Sequence, residues 1–170
     1  MIFRVENMDI LAIQVGDLLK AHGLMLTTAE SCTGGGVAQA ITDVAGSSAW
    51  FERGFIAYSN EAKREMLGVA QDTLLRYGAV SEAVVREMAM GAIQHSHAQV
   101  SLAVSGIAGP GGGMPDKPVG TVWFAWSNKG GACVARLHHL SGSRTEIRAQ
   151  SVRIALQGVV ELLNQLTQVV

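Results

Sequence analysis

The feature that most constrains this chain is an alternation of two hydrophobic periods. Stretches with apolar residues three and four apart are separated by short apolar runs of strand length. Met8, Leu11, Val15, Leu18 and Leu19 recur at helical spacing, and Gly23 follows as a helix stop. Leu24 to Ala29 is a short apolar run. A second helix is expected from near Gly34, turning Val37, Ala38, Ile41 and Val44 inward and ending near Gly46-Ser47-Ser48. Phe51 to Tyr58 reads as a strand, weakened at Gly54. Ser59 or Asn60 caps a short helix through Leu67, a further helical piece covers Asp72 to Tyr77, and Ser81 opens a helix that buries Val84, Val85, Met88 and Ala92. Gln99 to Val104 is a strand that runs into a glycine-rich loop, Gly106 to Gly113. Val119 to Ser127 and Ala132 to His138 flank Asn128-Lys129-Gly130-Gly131, a hairpin turn. The last helix opens on Ser143 and Glu146, which have capping-box spacing, and carries Ile147, Ser151, Ile154, Gly158 and Leu162 along one face.

This order predicts an α/β layered fold with a mostly parallel sheet and one antiparallel hairpin near the end. With 170 residues and no repeat, linker or low-complexity block, residues 1–170 are expected to form one domain. A hydrophobic content of 48% against 16% charged residues predicts a packed globule. The net charge of −1 and the lack of a basic run argue against a nucleic-acid partner. No apolar stretch is long enough to span a bilayer, and residues 1–7 lack the layout of a leader. Cys32 and Cys133 are far apart in no metal-ligand spacing, so reduced thiols and a cytoplasmic location are expected. His95, His97, His138 and His139 fall in no metal-binding arrangement, and neither a metal nor another cofactor is expected. Trp50, Phe51 and Phe55 belong either to the core or to a subunit interface; a homodimer is the expected assembly.

Three strand-to-helix junctions carry the residues suited to chemistry, and such loops are where sites gather in α/β folds. The first is Ala29-Glu30-Ser31-Cys32-Thr33-Gly34-Gly35-Gly36. Ser31 either caps the next helix or serves as a nucleophile, with N–H groups around Thr33 and Gly34 facing a developing oxyanion. Cys32 is an alternative nucleophile or a small buried residue. The second is Tyr58-Ser59-Asn60-Glu61-Ala62-Lys63. Lys63 is either a surface lysine or, in the first turn of a helix whose dipole disfavours a cation, a general base for Ser31. No Ser-His-Asp set competes for that role. The third runs from Ser105 and Gly106 through Gly113 to Thr121. It is either a surface loop or a set of backbone N–H groups for an anion, with Arg144 either exposed or seated beside a helix N-terminus as a phosphate ligand. It lacks the ending of a P-loop.

Taken together, Thr28-Ala29-Glu30-Ser31-Cys32-Thr33-Gly34-Gly35, Gly46-Ser47-Ser48, Tyr58-Ser59-Asn60-Glu61-Ala62-Lys63, Gly78-Ala79-Val80-Ser81, Ser105-Gly106-Ile107-Ala108-Gly109-Pro110 and Lys117-Pro118-Val119-Gly120-Thr121-Val122 closely resemble, in order, the signature of the CinA C-terminal domain family. The chain looks like a stand-alone form, without the molybdopterin-binding-like domain that precedes it in longer members. The resemblance implies a three-layer α/β/α fold. It also implies a small-molecule nucleotide substrate: hydrolysis of nicotinamide mononucleotide to nicotinate mononucleotide and ammonia, in the recycling of pyridine nucleotides. By the same match Ser31 is the nucleophile, Lys63 its base and Tyr58 a neighbour of both, while Thr33, Gly34, Ser105, Gly106 and Arg144 bind substrate. Ser105 stands where many members have Thr, and Ser143 where many have Asp. Residues 111–116 lie in a variable part of the family loop and carry no assignment. The alternative readings are a non-catalytic nucleotide- or phosphate-binding accessory module, and an interaction protein associated with competence or DNA damage.

Overall fold

The computed structural model of the chain describes the backbone of residues 2–167 and side chains from Met8 to Thr167. The expectation that residues 1–7 form no leader falls outside the described side chains. In order, the elements are α1 (Ile2–His22), β1 (Leu26–Glu30), α2 (Gly36–Thr42), a 3-10 turn (Ser47–Ala49), β2 (Phe51–Ile56), α3 (Asn60–Leu67), α4 (Gln71–Tyr77), α5 (Glu82–Gln94), β3 (Val100–Gly106), β4 (Thr121–Asn128), β5 (Cys133–His139) and α6 (Arg144–Thr167). Three helix starts are set by side chains the sequence marks. Ser59 Oγ accepts from Ala62 N–H, Ser81 Oγ accepts from Val84 N–H, and Ser143 and Glu146 close a reciprocal capping box. The second helix begins at Gly36 rather than near Gly34, because Gly34 and Gly35 sit at φ +60° and +98° and complete a left-handed turn first. That helix also stops at Thr42, short of Gly46.

The five strands form one sheet in the order β2-β1-β3-β4-β5. β1 pairs in parallel with β2 and β3, and β4 pairs antiparallel with β3 and with β5. Only β4 therefore runs against the rest, which is the mostly parallel sheet with a terminal hairpin that the pattern predicts. Period-two alternation assigns the two faces. Leu26, Leu102, Val104, Phe124 and Trp126 face a core completed by α1, α2 and α6. Ala29, Ala103 and Ala125 face the opposite core, built on α3, α4 and α5. Helices on both faces make the three layers α/β/α.

The two faces are packed by opposite means. On the first, large aromatics meet glycines: an ideal Cβ on Gly16 would lie 2.6 Å from the Trp50 ring, and one on Gly158 would lie 2.0 Å from the Trp126 ring. Trp126 Nε1 also donates to Ala155 C=O at 2.8 Å. Trp50 is thus a core residue, 1% exposed, and Phe51 and Phe55 are half-buried beside it and on the other face respectively. Replacing such a buried aromatic by alanine costs roughly 3–5 kcal/mol. On the second face the small residues let α5 approach the sheet so closely that Ser101 Oγ donates across the gap to Ala89 C=O at 2.7 Å. Gly91 of α5 lies against α3, where an ideal Cβ would come within 1.9 Å of Leu67 C=O.

Because β1, β2 and β3 are parallel, their carboxyl ends collect at one edge of the sheet. The first residues of α6 arrive at the same edge, since Arg144 Nη1 donates to Gly109 C=O beyond β3 at 2.8 Å. Among the described residues, no helix is long and apolar enough to cross a membrane.

Candidate active site

Ser31 is the first residue after β1, and its N–H still donates to Val104 C=O of β3 at 3.0 Å. The sheet therefore fixes its backbone before the chain turns away. The side chain does not cap α2: that helix starts after Gly35, which makes no side-chain cap. Glu30, 1% exposed, fills the role from within the strand, its two carboxylate oxygens accepting from Val37 N–H at 2.8 Å and Ala38 N–H at 3.0 Å. Released from capping, Ser31 Oγ lies 3.0 Å from Lys63 Nζ.

Lys63 is in the first turns of α3 yet only 1% exposed. Its Nζ also donates to Ala57 C=O at 3.1 Å and to Tyr58 C=O at 2.9 Å. Burial pulls its pKa down from 10.5 to about 8, partly opposed by the neighbouring Cys32. Desolvation, rather than the helix dipole invoked from sequence, is thus the chief cause. The three partners also define a geometry. When neutral, the amine keeps two N–H bonds for the two carbonyls, which leaves its lone pair for the Ser31 hydroxyl.

Around this pair lies a cleft of about 200 Å³, lined by Ser31, Cys32, Tyr58, Asn60, Lys63, Ala79, Val80, Ser105, Gly106, Ala108 and Arg144. Tyr58 contributes in two ways: its carbonyl holds Lys63, while its hydroxyl, on a side chain 60% exposed, accepts from Arg144 Nη2 at 3.3 Å. Arg144 is held at the rim by that hydroxyl and by Gly109 C=O. Ser105 Oγ is buried in the cleft wall and donates its proton to Ala79 C=O at 2.8 Å, which leaves it only acceptor capacity. Neither the Thr33 nor the Gly34 side of the turn lines the cleft, whose wall there is formed by Ser31 and Cys32. Thr33 is buried with its Oγ1 unpaired, and Gly34 N–H donates to Ser31 C=O at 3.0 Å. Cys32 is buried too, and burial raises its thiol to about 11, which keeps it neutral and unreactive at neutral pH. The variable loop is exposed; Lys117 Nζ ties it to Tyr77 C=O at 2.7 Å.

Two residues of this site are not singled out by the sequence reading. Glu30 is a carboxylate within an apolar strand, and a charge there demands partners; that mismatch is its sequence trace. Arg148 follows Arg144 by four residues and so shares its helix face. It reaches back to the turn after Ser31, with Nε donating to Cys32 C=O at 3.0 Å and Nη2 to Thr33 C=O at 3.1 Å. Among the described residues, no group of three or more His, Cys, Asp or Glu side chains is placed to hold a metal ion.

The comparisons with known proteins agree on one relationship. A family model of the CinA C-terminal domain matches residues 8–163. The chain is 57% identical over 147 residues to a protein of Escherichia coli (strain K12) named nicotinamide-nucleotide amidohydrolase PncC, covering 86% of this chain and 89% of that protein. It is 49% identical over 158 residues to a protein of the same name from Pseudomonas putida, covering 93% and 98%. Among solved structures, the competence/damage inducible protein CihA from Agrobacterium tumefaciens superposes with a TM-score of 0.89 at 46% identity, over 92% of this chain and 95% of that one.

Proposed function

This chain belongs to the CinA C-terminal domain family and is a hydrolase of a carboxamide C–N bond, and we propose that it converts nicotinamide mononucleotide to nicotinate mononucleotide and ammonia through a Ser31–Lys63 pair. The observation that carries this reading is the 3.0 Å contact between Ser31 Oγ and a buried lysine whose other two partners are carbonyls. A surface-binding module has no need to desolvate a cation against a serine, which is costly unless the cation is used or well paired. The non-catalytic alternative leaves that arrangement without a purpose.

In the proposed reaction, neutral Lys63 takes the hydroxyl proton as Ser31 Oγ attacks the carboxamide carbon. The carbonyl oxygen gains the charge and is met by backbone N–H of the Cys32–Thr33 turn. Protonated Lys63 then returns the proton to the nitrogen, the C–N bond breaks, and ammonia leaves an ester on Ser31. Water attacks that ester, Lys63 takes its proton and passes it to Ser31 Oγ, and the acid departs. Arg144 at the rim, with Tyr58 behind it, supplies the charge and donors suited to a 5′-phosphate, and Ser105 and Gly106 line the wall between. We place this activity in the recycling of pyridine nucleotides inside the cell. It is tested by ammonia release from nicotinamide mononucleotide, with Ser31→Ala as control. A wild-type protein that releases none, or a folded Ser31→Ala that releases it at the wild-type rate, refutes the reading.

A further inference from the structure

We infer that Arg148 is a positioning residue for this reaction: by holding the Cys32 and Thr33 carbonyls it fixes the turn after Ser31 and with it the N–H groups left to meet a developing oxyanion. The inference rests on the Ser31 reading above. Arg148 Nε donates to Cys32 C=O at 3.0 Å and Nη2 to Thr33 C=O at 3.1 Å, so one guanidinium grips two successive peptides just after the nucleophile. In a trans peptide the C=O and N–H point in opposite directions. Fixing Cys32 C=O toward α6 therefore turns Thr33 N–H away from α6.

The destination of each N–H in the turn is then informative. Ser31 N–H is taken by Val104 C=O, Gly34 N–H by Ser31 C=O and Gly36 N–H by Thr33 C=O, while Val37 and Ala38 N–H go to Glu30. Among the described residues, the N–H groups of Cys32, Thr33 and Gly35 have no such acceptor. The helix N-terminus that would ordinarily greet an anion is thus occupied by Glu30, and the N–H groups left to donate beside Ser31 are those of Cys32 and Thr33. Arg148 orients the Thr33 peptide directly, through Cys32 C=O, and steadies the turn that carries the Cys32 N–H.

Two further observations fit. Arg148 packs directly behind the turn, since an ideal Cβ on Gly34 would be in van der Waals contact with Nη2 at 3.4 Å. Its charge is also felt at the cleft, since it lowers the tendency of the Cys32 thiol to stay protonated, against the larger effect of burial. A cation on the carbonyl side of a peptide polarises it and strengthens the N–H as a donor. Arg148 itself touches none of the reacting atoms; it acts through the backbone.

The test compares wild type, Arg148→Ala and Arg148→Lys, each checked for folding by thermal melt. Activity is read on nicotinamide mononucleotide and on p-nitrophenyl acetate, whose acylation burst at Ser31 needs the oxyanion donor and no nucleotide contact. For Arg148→Ala we expect kcat to fall about 100-fold while KM moves less than about threefold, with the burst rate falling in parallel. Added guanidinium ion at tens of millimolar should restore part of the lost rate. For Arg148→Lys, which keeps a cation but loses the fork, we expect about a tenfold loss in kcat. A folded Arg148→Ala with wild-type kcat and burst overturns the inference, as does a rise in KM with kcat unchanged. Should Arg148→Ala not fold, Arg148→Lys decides, and wild-type kcat and burst in it overturn the inference. A wild type that bursts with the ester but ignores the nucleotide counts against the substrate reading alone.

Discussion

Lys63 Nζ and Ser31 Oγ are 3.0 Å apart, and the lysine reaches that distance from α3 while the serine is fixed by the central strand β1. The two residues are 32 positions apart in sequence, and the parallel pairing of β1 with β2 is what brings their loops together.

Removing either member should abolish turnover while leaving the fold. Ser31→Ala and Lys63→Met are expected to lower kcat for ammonia release by at least about 100-fold. Circular dichroism and melting curves establish that the variants remain folded. Retained turnover in Lys63→Met would leave Ser31 with a different base.

The lysine also predicts a pH profile. Only the neutral amine accepts a proton, so kcat/KM should rise with pH and level off above about 8. Stability follows the same group with a definite sign. The folded pKa of about 8 lies below the unfolded 10.5, so the unfolded chain binds more protons between those values and stability rises with pH across that window. Below about pH 8 the penalty is fully present, on the order of 3 kcal/mol, and above 10.5 it is gone. The difference in unfolding free energy between wild type and Lys63→Met, measured in urea from pH 7 to 10.5, should therefore shift in favour of the wild type. Cys32, raised to about 11 by burial and lowered in part by Lys63, acts in the opposite sense above pH 9, so the comparison is read most directly between pH 7 and 9.

Arg144 should act on binding. Arg144→Ala is expected to raise KM about tenfold to 100-fold with a smaller change in kcat. Tyr58→Phe removes only the hydroxyl behind that guanidinium and keeps the carbonyl that holds Lys63, so its main effect should be a several-fold rise in KM, roughly what one exposed hydrogen bond is worth. Steady-state kinetics with the nucleotide separates the two parameters.

Gly91→Ala should disturb catalysis from a distance. The added methyl would meet Leu67 C=O, and relieving that contact means moving α3, which carries Lys63. A loss of roughly 1–3 kcal/mol in urea unfolding is expected, together with reduced kcat. Unchanged stability and turnover would mean α3 and α5 can separate without cost.

Much of this was legible in the residues. Helical spacing and the caps at Ser59, Ser81 and Ser143 locate their helices, because caps and periodicity are local properties. The order of strands is not local, and neither is the packing of Trp50 against Gly16, so its place in the core rather than at an interface needed the fold. At the site, the residues alone admit Ser31 as either cap or nucleophile. What separates those readings is Glu30, which takes the helix amides through a contact seven residues along the chain. Arg148 reaches the turn across 116 residues, a relationship no spacing rule encodes.

The two tryptophan–glycine contacts carry an evolutionary consequence. Gly16 with Trp50, and Gly158 with Trp126, each divide one fixed volume between two positions. Neither glycine can gain a side chain unless its tryptophan first shrinks, so each pair should drift only in concert. Relatives that have lost one of these indoles are the ones in which a larger residue at its partner position should be found.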